Sequence, residues 1–202
     1  MVAIFDLDGT LVDSSNTLAN AINYVRAKLN LPPLPKDEIL YHINNPNTNL
    51  AKYFYEKENI EPIYEKWFKE YYSKNHNREL ELFDGVDLML KELKDSGVKL
   101  ALATNGYRDS TLEALSYLNL KEHFDKIMTF EDVKNPKPAP DMLLKILKEL
   151  NLPNSKAIFI GDSQRDYLAS KEADIEFIGV DFINKKSSAN DVKEAIKEYF
   201  KI

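Results

Sequence analysis

No cysteine occurs among the 202 residues. That removes disulfides and thiolate metal sites, and it fits a reducing cytoplasm. No apolar run approaches the roughly 18 residues that a bilayer span requires. The chain starts at Met1 and runs at once into Val2-Ala3-Ile4-Phe5, with no basic segment ahead of a longer apolar one, so no signal peptide is expected. No repeat of solenoid period and no low-complexity tract is visible. An excess of basic charge is also missing. The net charge is −6 and the pI about 5.2, which favours neither a nucleic-acid backbone nor an anionic membrane as partner. Histidine is sparse: His42, His76 and His123 are scattered and read as surface or packing residues. With 44% hydrophobic residues the chain can build one large core, or a core domain with a small companion.

Periodicity divides the chain into two textures. Residues 15–79 carry helical spacings and many aromatics but no strand pattern. Helices are expected over residues 16–30, 36–42, 50–58 and 62–72, the first ended by Leu31-Pro32-Pro33-Leu34-Pro35 and the last opened by Pro62. From Leu82 onward, strand and helix alternate. The short apolar runs Lys99–Ala103, Lys126–Phe130, Ala157–Ile160 and Ile175–Val180 read as buried strands. Helices are expected after Val86, over residues 111–119, 141–150 and 165–173, and from Ala189 to Phe200. Such alternation predicts a doubly wound parallel sheet with helices on both faces. The first strand, residues 2–6, belongs to that sheet. The helical block is then an insertion, giving an α/β core over residues 1–14 and 80–202 and an all-helical domain over 15–79.

Chemistry concentrates where strands end. Asp6-Leu7-Asp8-Gly9-Thr10 follows the first apolar run and delivers two carboxylates to its carboxyl end, where open α/β sheets bind ligands. Leu102-Ala103-Thr104-Asn105-Gly106 ends a second strand. The Thr104 hydroxyl and the backbone N–H groups of Asn105 and Gly106 suit phosphate oxygens. Lys134-Asn135-Pro136-Lys137-Pro138-Ala139-Pro140-Asp141 sets Lys137 between two prolines just before a helix, where a held cation can neutralise an anion; Lys134 is the weaker candidate. Ile160-Gly161-Asp162-Ser163-Gln164-Arg165-Asp166 ends another buried strand, with Asp166 four residues after Asp162. Each segment taken alone also reads as an ordinary strand exit, turn or helix cap.

As an ordered set, the four segments resemble the motifs of the haloacid dehalogenase-like superfamily, a group made up largely of phosphatases. The resemblance spans most of the chain and implies a Rossmann-like core with a helical cap inserted after the first motif. It implies phosphoric monoester hydrolysis of small substrates, of phosphoglycolate or sugar-phosphate type. In that reading Asp6 is the nucleophile and Asp8 the general acid and base. Thr104, Asn105, Gly106 and Lys137 bind phosphate. Asp6, Asp8 (through its main-chain carbonyl) and Asp162 hold Mg²⁺, and Asp166 supports Asp162 or a metal-bound water. Hard oxygen donors without cysteine favour Mg²⁺ over Zn²⁺. The cap is expected to close over the site and exclude bulk water.

An acid at position 8 separates the chain from the dehalogenases and phosphonatases of the superfamily. A sugar phosphomutase keeps both acids and the same cap type and stays open as an alternative, as does an inactive phospho-ligand binding protein. A receiver domain uses similar residues but carries its phosphorylated Asp on a middle strand and lacks a helical insertion. Ala173-Asp174 stands where the superfamily usually has Ala-Gly, so Asp174 is expected to take a glycine-like conformation. Arg26, Lys52 and Tyr53 are possible substrate contacts in the cap, or plain surface residues. The expected partner is a small phosphate ester, the expected location cytoplasmic and the expected assembly a monomer or homodimer.

Overall fold

The structure, a computed structural model, describes residues 1–202 apart from the side chain of Asn77. Packing divides it into two compact units, Met1–Asp13 with Leu82–Ile202, and Ser14–Glu81.

The first unit is built on a five-stranded parallel sheet. Its strands are β1 (Val2–Phe5), β4 (Lys99–Ala103), β5 (Lys126–Met128), β6 (Ala157–Gly161) and β7 (Glu176–Gly179), in the order β5-β4-β1-β6-β7. The first strand in sequence therefore lies in the middle. It pairs Val2 with Lys99 on one side and with Ala157 on the other. Central position explains its composition: all four β1 residues are fully buried, and a strand covered on both faces must be apolar throughout. Two short strands, β2 (Val12–Asp13) and β3 (Glu81–Leu82), pair as a separate ribbon.

Five helices belong to this unit: α5 (Val86–Asp95), α6 (Arg108–Tyr117), α7 (Asp141–Leu150), α8 (Gln164–Glu172) and α9 (Ala189–Phe200). Successive strand residues point to opposite faces. Val2, Ile4, Ala101, Ala103, Ala157 and Phe159 pack in one cluster with Met142, Leu143, Ile146 and Leu147 of α7 and Ala169 of α8. The alternate residues Ala3, Phe5, Leu100 and Leu102 are fully buried as well. α5 packs on β4 with its buried Val86, Met89, Leu90 and Leu93, and α9 packs on α5. The expected α/β class and parallel sheet are what the chain adopts.

The second unit holds α1 (Ser15–Lys28), α2 (Lys36–Asn44), α3 (Leu50–Tyr55) and α4 (Pro62–Glu79). Its core is Ala19, Ile22, Val25, Ile39, Phe54, Tyr55 and Tyr64. The proline-rich segment after α1 is tied down by Asn23, whose amide donates to the Leu34 carbonyl and accepts from the Leu34 N–H, both at 2.9 Å. α4 runs seven residues beyond the expected end at Tyr72. That extension, Ser73–Glu79, has no apolar stripe to reveal it. Local bonds support it, including the Glu70–Lys74 pair and the Asn75 amide donating to the Tyr71 carbonyl. Among the described residues, no helix is long and apolar enough to cross a membrane.

Candidate active site

The motif residues sit at the carboxyl ends of β1, β4 and β6 and in the loop after β5. Asp6 follows β1 directly, and its N–H donates to the Ile160 carbonyl of β6 at 2.9 Å. The chain then turns sharply: the N–H groups of Leu11 and Val12 both donate to the Leu7 carbonyl. Gly9 occupies φ +84°, and a methyl group built on it would overlap the Asp162 carboxylate. This is one place where glycine is required twice over, by its backbone angle and by the approach of a carboxylate.

Lys137 is the hub. Its Nζ donates to Asp6 Oδ1 and to Asp166 Oδ1, each at 2.6 Å. The same nitrogen lies 5.3 Å from the centroid of the Phe159 ring on β6, a cation–π distance. Lysine and both carboxylates are buried. Asp166 is aimed at Lys137 by its other oxygen: Asp166 Oδ2 accepts from the Ser163 N–H at 3.1 Å and from the Ser163 hydroxyl at 2.5 Å. That is a capping box at the start of α8, with aspartate in place of glutamate. Gly161 makes room for it, since a Cβ there would lie 2.6 Å from Asp166 Cβ.

Electrostatics follow from the crowding. Asp6, Asp162 and Asp166 bring carboxylate oxygens within 4.8 Å of one another. Burial drives the Asp6 pKa well above the usual carboxylate range. Lys137 opposes that shift, and the charges of Asp166, Asp162 and Asp8 add to it. Asp162, half-buried, is pushed up to about 7 by burial and then by repulsion from Asp166, with Lys137 opposing. Burial works against the charge on Lys137, but Asp166 and Asp6 outweigh it and hold the ammonium above the ordinary lysine range. With Asp8, whose charge acts on Asp6 and Asp162, four carboxylates share the site with one ammonium. A divalent cation with hard oxygen ligands fits such a cluster better than any softer ion.

The remaining predicted residues fall around this centre. Asp8 is half-buried and bridges to Val12 in the turn; its Oδ2 would lie 3.9 Å from a Cβ on Gly106, so its carboxylate faces the turn after β4. Thr104 is buried, its N–H donating to the Met128 carbonyl at 3.0 Å, while its Oγ1 accepts from the Gly106 N–H at 3.0 Å. The Asn105 side chain turns to the Lys137 backbone, with its Nδ2 donating to the Lys137 carbonyl at 2.8 Å and its Oδ1 accepting from the Lys137 N–H at 3.0 Å. Lys134 is exposed. The carboxylate cluster contains Asp166 where the expected metal set has Asp8, because that set used the Asp8 main-chain carbonyl. Both Asp166 oxygens already accept hydrogen bonds, from Lys137 and from Ser163.

In the helical unit, Arg26 is buried rather than on the surface. Its Nε donates to the Pro32 carbonyl at 2.8 Å and its Nη1 to the Phe54 carbonyl, so it serves the packing of that unit. Tyr53 donates to Glu38 and stacks on His42, with ring centroids 3.6 Å apart. Lys52 is exposed. Ser163 went unnoticed in its orienting role, although the spacing Ser-x-x-Asp is the signal that could have found it.

The motif segments of this parallel α/β sheet thus converge on one lysine–carboxylate centre at its carboxyl edge. Residues 3–180 match the family model of haloacid dehalogenase-like hydrolases, and the chain belongs to that family. It is 32% identical over 190 residues to a phosphoglycolate phosphatase of Psychrobacter arcticus, covering 89% of this chain and 82% of that one. It is 28% identical over 173 residues to the pyrophosphatase PpaX of Halalkalibacterium halodurans, covering 86% and 80%. Its fold matches the crystal structure of a predicted phosphatase from Clostridium acetobutylicum with a TM-score of 0.83, at 24% identity and 98% coverage of both chains.

Proposed function

We propose that this hydrolase is a phosphatase that cleaves small phosphate monoesters, of phosphoglycolate or sugar-phosphate type, through an aspartyl-phosphate intermediate on Asp6. The observation that carries the reading is the Lys137 ammonium held 2.6 Å from both Asp6 and Asp166 at the end of β1. A carboxylate nucleophile and a phosphate ester repel each other. A fixed, buried ammonium beside that carboxylate offsets the repulsion and stays in place as charge develops.

In this mechanism an Asp6 oxygen attacks phosphorus and the ester oxygen leaves, taking a proton from Asp8. Asp8, now a carboxylate, removes a proton from the water that attacks the acyl phosphate. The phosphorus–oxygen bond to Asp6 breaks, inorganic phosphate departs, and both acids return to their starting states. Thr104 and the backbone N–H groups of Asn105 and Gly106 are assigned to the phosphate oxygens, the Gly106 N–H being shared with Thr104 Oγ1, to which it donates. The Asp6 carboxylate, the Asp8 main-chain carbonyl and the Asp162 carboxylate would hold Mg²⁺, which supplies charge neutralisation and orientation of the phosphate. Asp166 serves instead as the anchor of Lys137. The helical unit Ser14–Glu81 is assigned the role of a cap. A cytoplasmic location is part of the same reading, which the lack of cysteine supports.

The test is phosphate release from a panel of small esters and pyrophosphate, with Mg²⁺ and with EDTA, for the wild type and Asp6→Asn. Metal-dependent release that disappears in the variant is expected. A folded wild type that releases no phosphate but interconverts sugar phosphates would replace the phosphatase by a mutase.

A further inference from the structure

We propose that Asn105 is a positioning residue for Lys137, and that its side-chain amide sets where the ammonium sits. The inference rests on the function proposed for Lys137. A lysine side chain has four flexible bonds, so the ammonium is placed by what fixes its backbone and what receives its protons. The receivers are Asp6 and Asp166. The backbone lies in the loop between β5 and α7, where no strand or helix holds it. Asn105 supplies that hold with two hydrogen bonds, one to the N–H and one to the carbonyl of the same residue, at 3.0 and 2.8 Å. An amide presents a donor and an acceptor side by side and stays uncharged at any pH the protein meets. The two residues are 32 apart in sequence, and among the described residues no other side chain bonds to the Lys137 backbone.

A second link joins the same two segments. Arg108 at the start of α6 pairs with Asp132, and its N–H donates to Glu131 at 2.6 Å. That link ties the segment after β4 to the segment after β5 but leaves Lys137 untouched. It makes Arg108 the natural control. Asn105 itself lies at the surface, whereas Lys137 is 4% exposed, so removing the amide alters placement without opening the core.

The test compares Asn105→Ala, Lys137→Ala, the double variant and Arg108→Ala. The first readout needs no turnover: the ¹⁵N resonance of the Lys137 ammonium. A buried ammonium with two short hydrogen bonds exchanges slowly enough to be seen. Asn105→Ala should broaden or erase the signal, and Arg108→Ala should leave it. The second readout is kcat. Removing one fixed charge-stabilising donor costs about 10²–10³ in kcat, which is the loss expected for Lys137→Ala. Asn105→Ala should lose about tenfold or more, with KM little changed, and the double variant should match Lys137→Ala within about threefold. An unchanged ammonium signal in Asn105→Ala overturns the proposal, as does a double variant whose losses multiply, because Asn105 would then act on substrate directly. Where Asn105→Ala fails to fold, Asn105→Asp keeps the acceptor for the Lys137 N–H but sets an anionic oxygen against the Lys137 carbonyl in place of the donor, and it should likewise broaden or erase the ammonium signal. If the signal is lost but the wild type turns over no ester, the positioning role stands and the phosphatase reading fails.

Discussion

Gly9→Ala separates two costs that the structure superimposes. The first is conformational: an alanine at φ +84° pays about 1–2 kcal/mol for a left-handed backbone. The second is steric. The new methyl group would lie 2.7 Å from Asp162 Cγ and 3.2 Å from Asp162 Oδ1, and it would overlap Oδ2. Moving that half-buried carboxylate is an overpacking problem of about 1–3 kcal/mol. The sum is about 2–5 kcal/mol, or a fall in Tm of roughly 4–20 °C for a chain of this length. In an Asp162→Ala background the colliding atoms are gone and only the conformational cost remains, about 1–2 kcal/mol. The assay is calorimetry on all four proteins, with hydrogen exchange of the β1 and β6 amides to isolate the sheet. Fluorescence of Trp67, the single tryptophan, reports the helical unit and should not change. An equal loss in both backgrounds, or a loss below about 1 kcal/mol with Asp162 present, refutes the steric half of the reasoning.

Asp8→Asn should slow phosphate release by about 10²–10⁴ on alkyl phosphates and far less on p-nitrophenyl phosphate, whose leaving group needs no proton; equal losses on both remove Asp8 from the acid–base role. Burial raises the Asp132 pKa, but hydrogen bonds from Arg108 and Thr129 outweigh it and the net shift is downward from 3.8. A carboxyl with a depressed pKa contributes stability above its unfolded value and loses it as pH falls through its folded value. Asp132→Asn should therefore flatten the stability profile below about pH 3.8. Because the Arg108 side chain is 41% exposed, the difference should stay under about 1 kcal/mol. Coincident acid limbs for wild type and variant would contradict that.

Three of the four motifs were legible because each joins an apolar run to polar residues, and such a junction marks the carboxyl end of a buried strand; the Lys137 segment was legible instead as a lysine held between prolines ahead of a helix. Strand identity followed from the same runs: Lys99–Ala103 matches to the residue, whereas the run from Lys126 stops at Met128 and Phe130–Asp132 forms a 3₁₀ turn closed by a Thr129–Asp132 capping box. The tail of α4 was invisible because polar residues held by bonds three and four positions apart leave no hydrophobic period. Asp174 takes φ +54°, the glycine-like conformation that its place in the motif requires. Side-chain direction was the deeper gap. Nothing in the order of residues tells that Arg26 is turned inward to two carbonyls, that Asp166 grips Lys137, or that Asn105 faces the Lys137 backbone. These depend on contacts between residues far apart in the chain, which periodicity does not encode.

The place of β1 in the middle of the sheet has a consequence for the order of assembly. β1, which needs neighbours on both sides, is synthesised before either of them. Those neighbours, β4 and β6, are made about 100 and about 155 residues later. The helical unit, by contrast, is contiguous and draws on local contacts. It can fold while β1 waits, an apolar segment with unpaired edges. Completion of the sheet is then a late event that closes around β1 and creates the Asp6–Lys137–Asp166 centre in the same step.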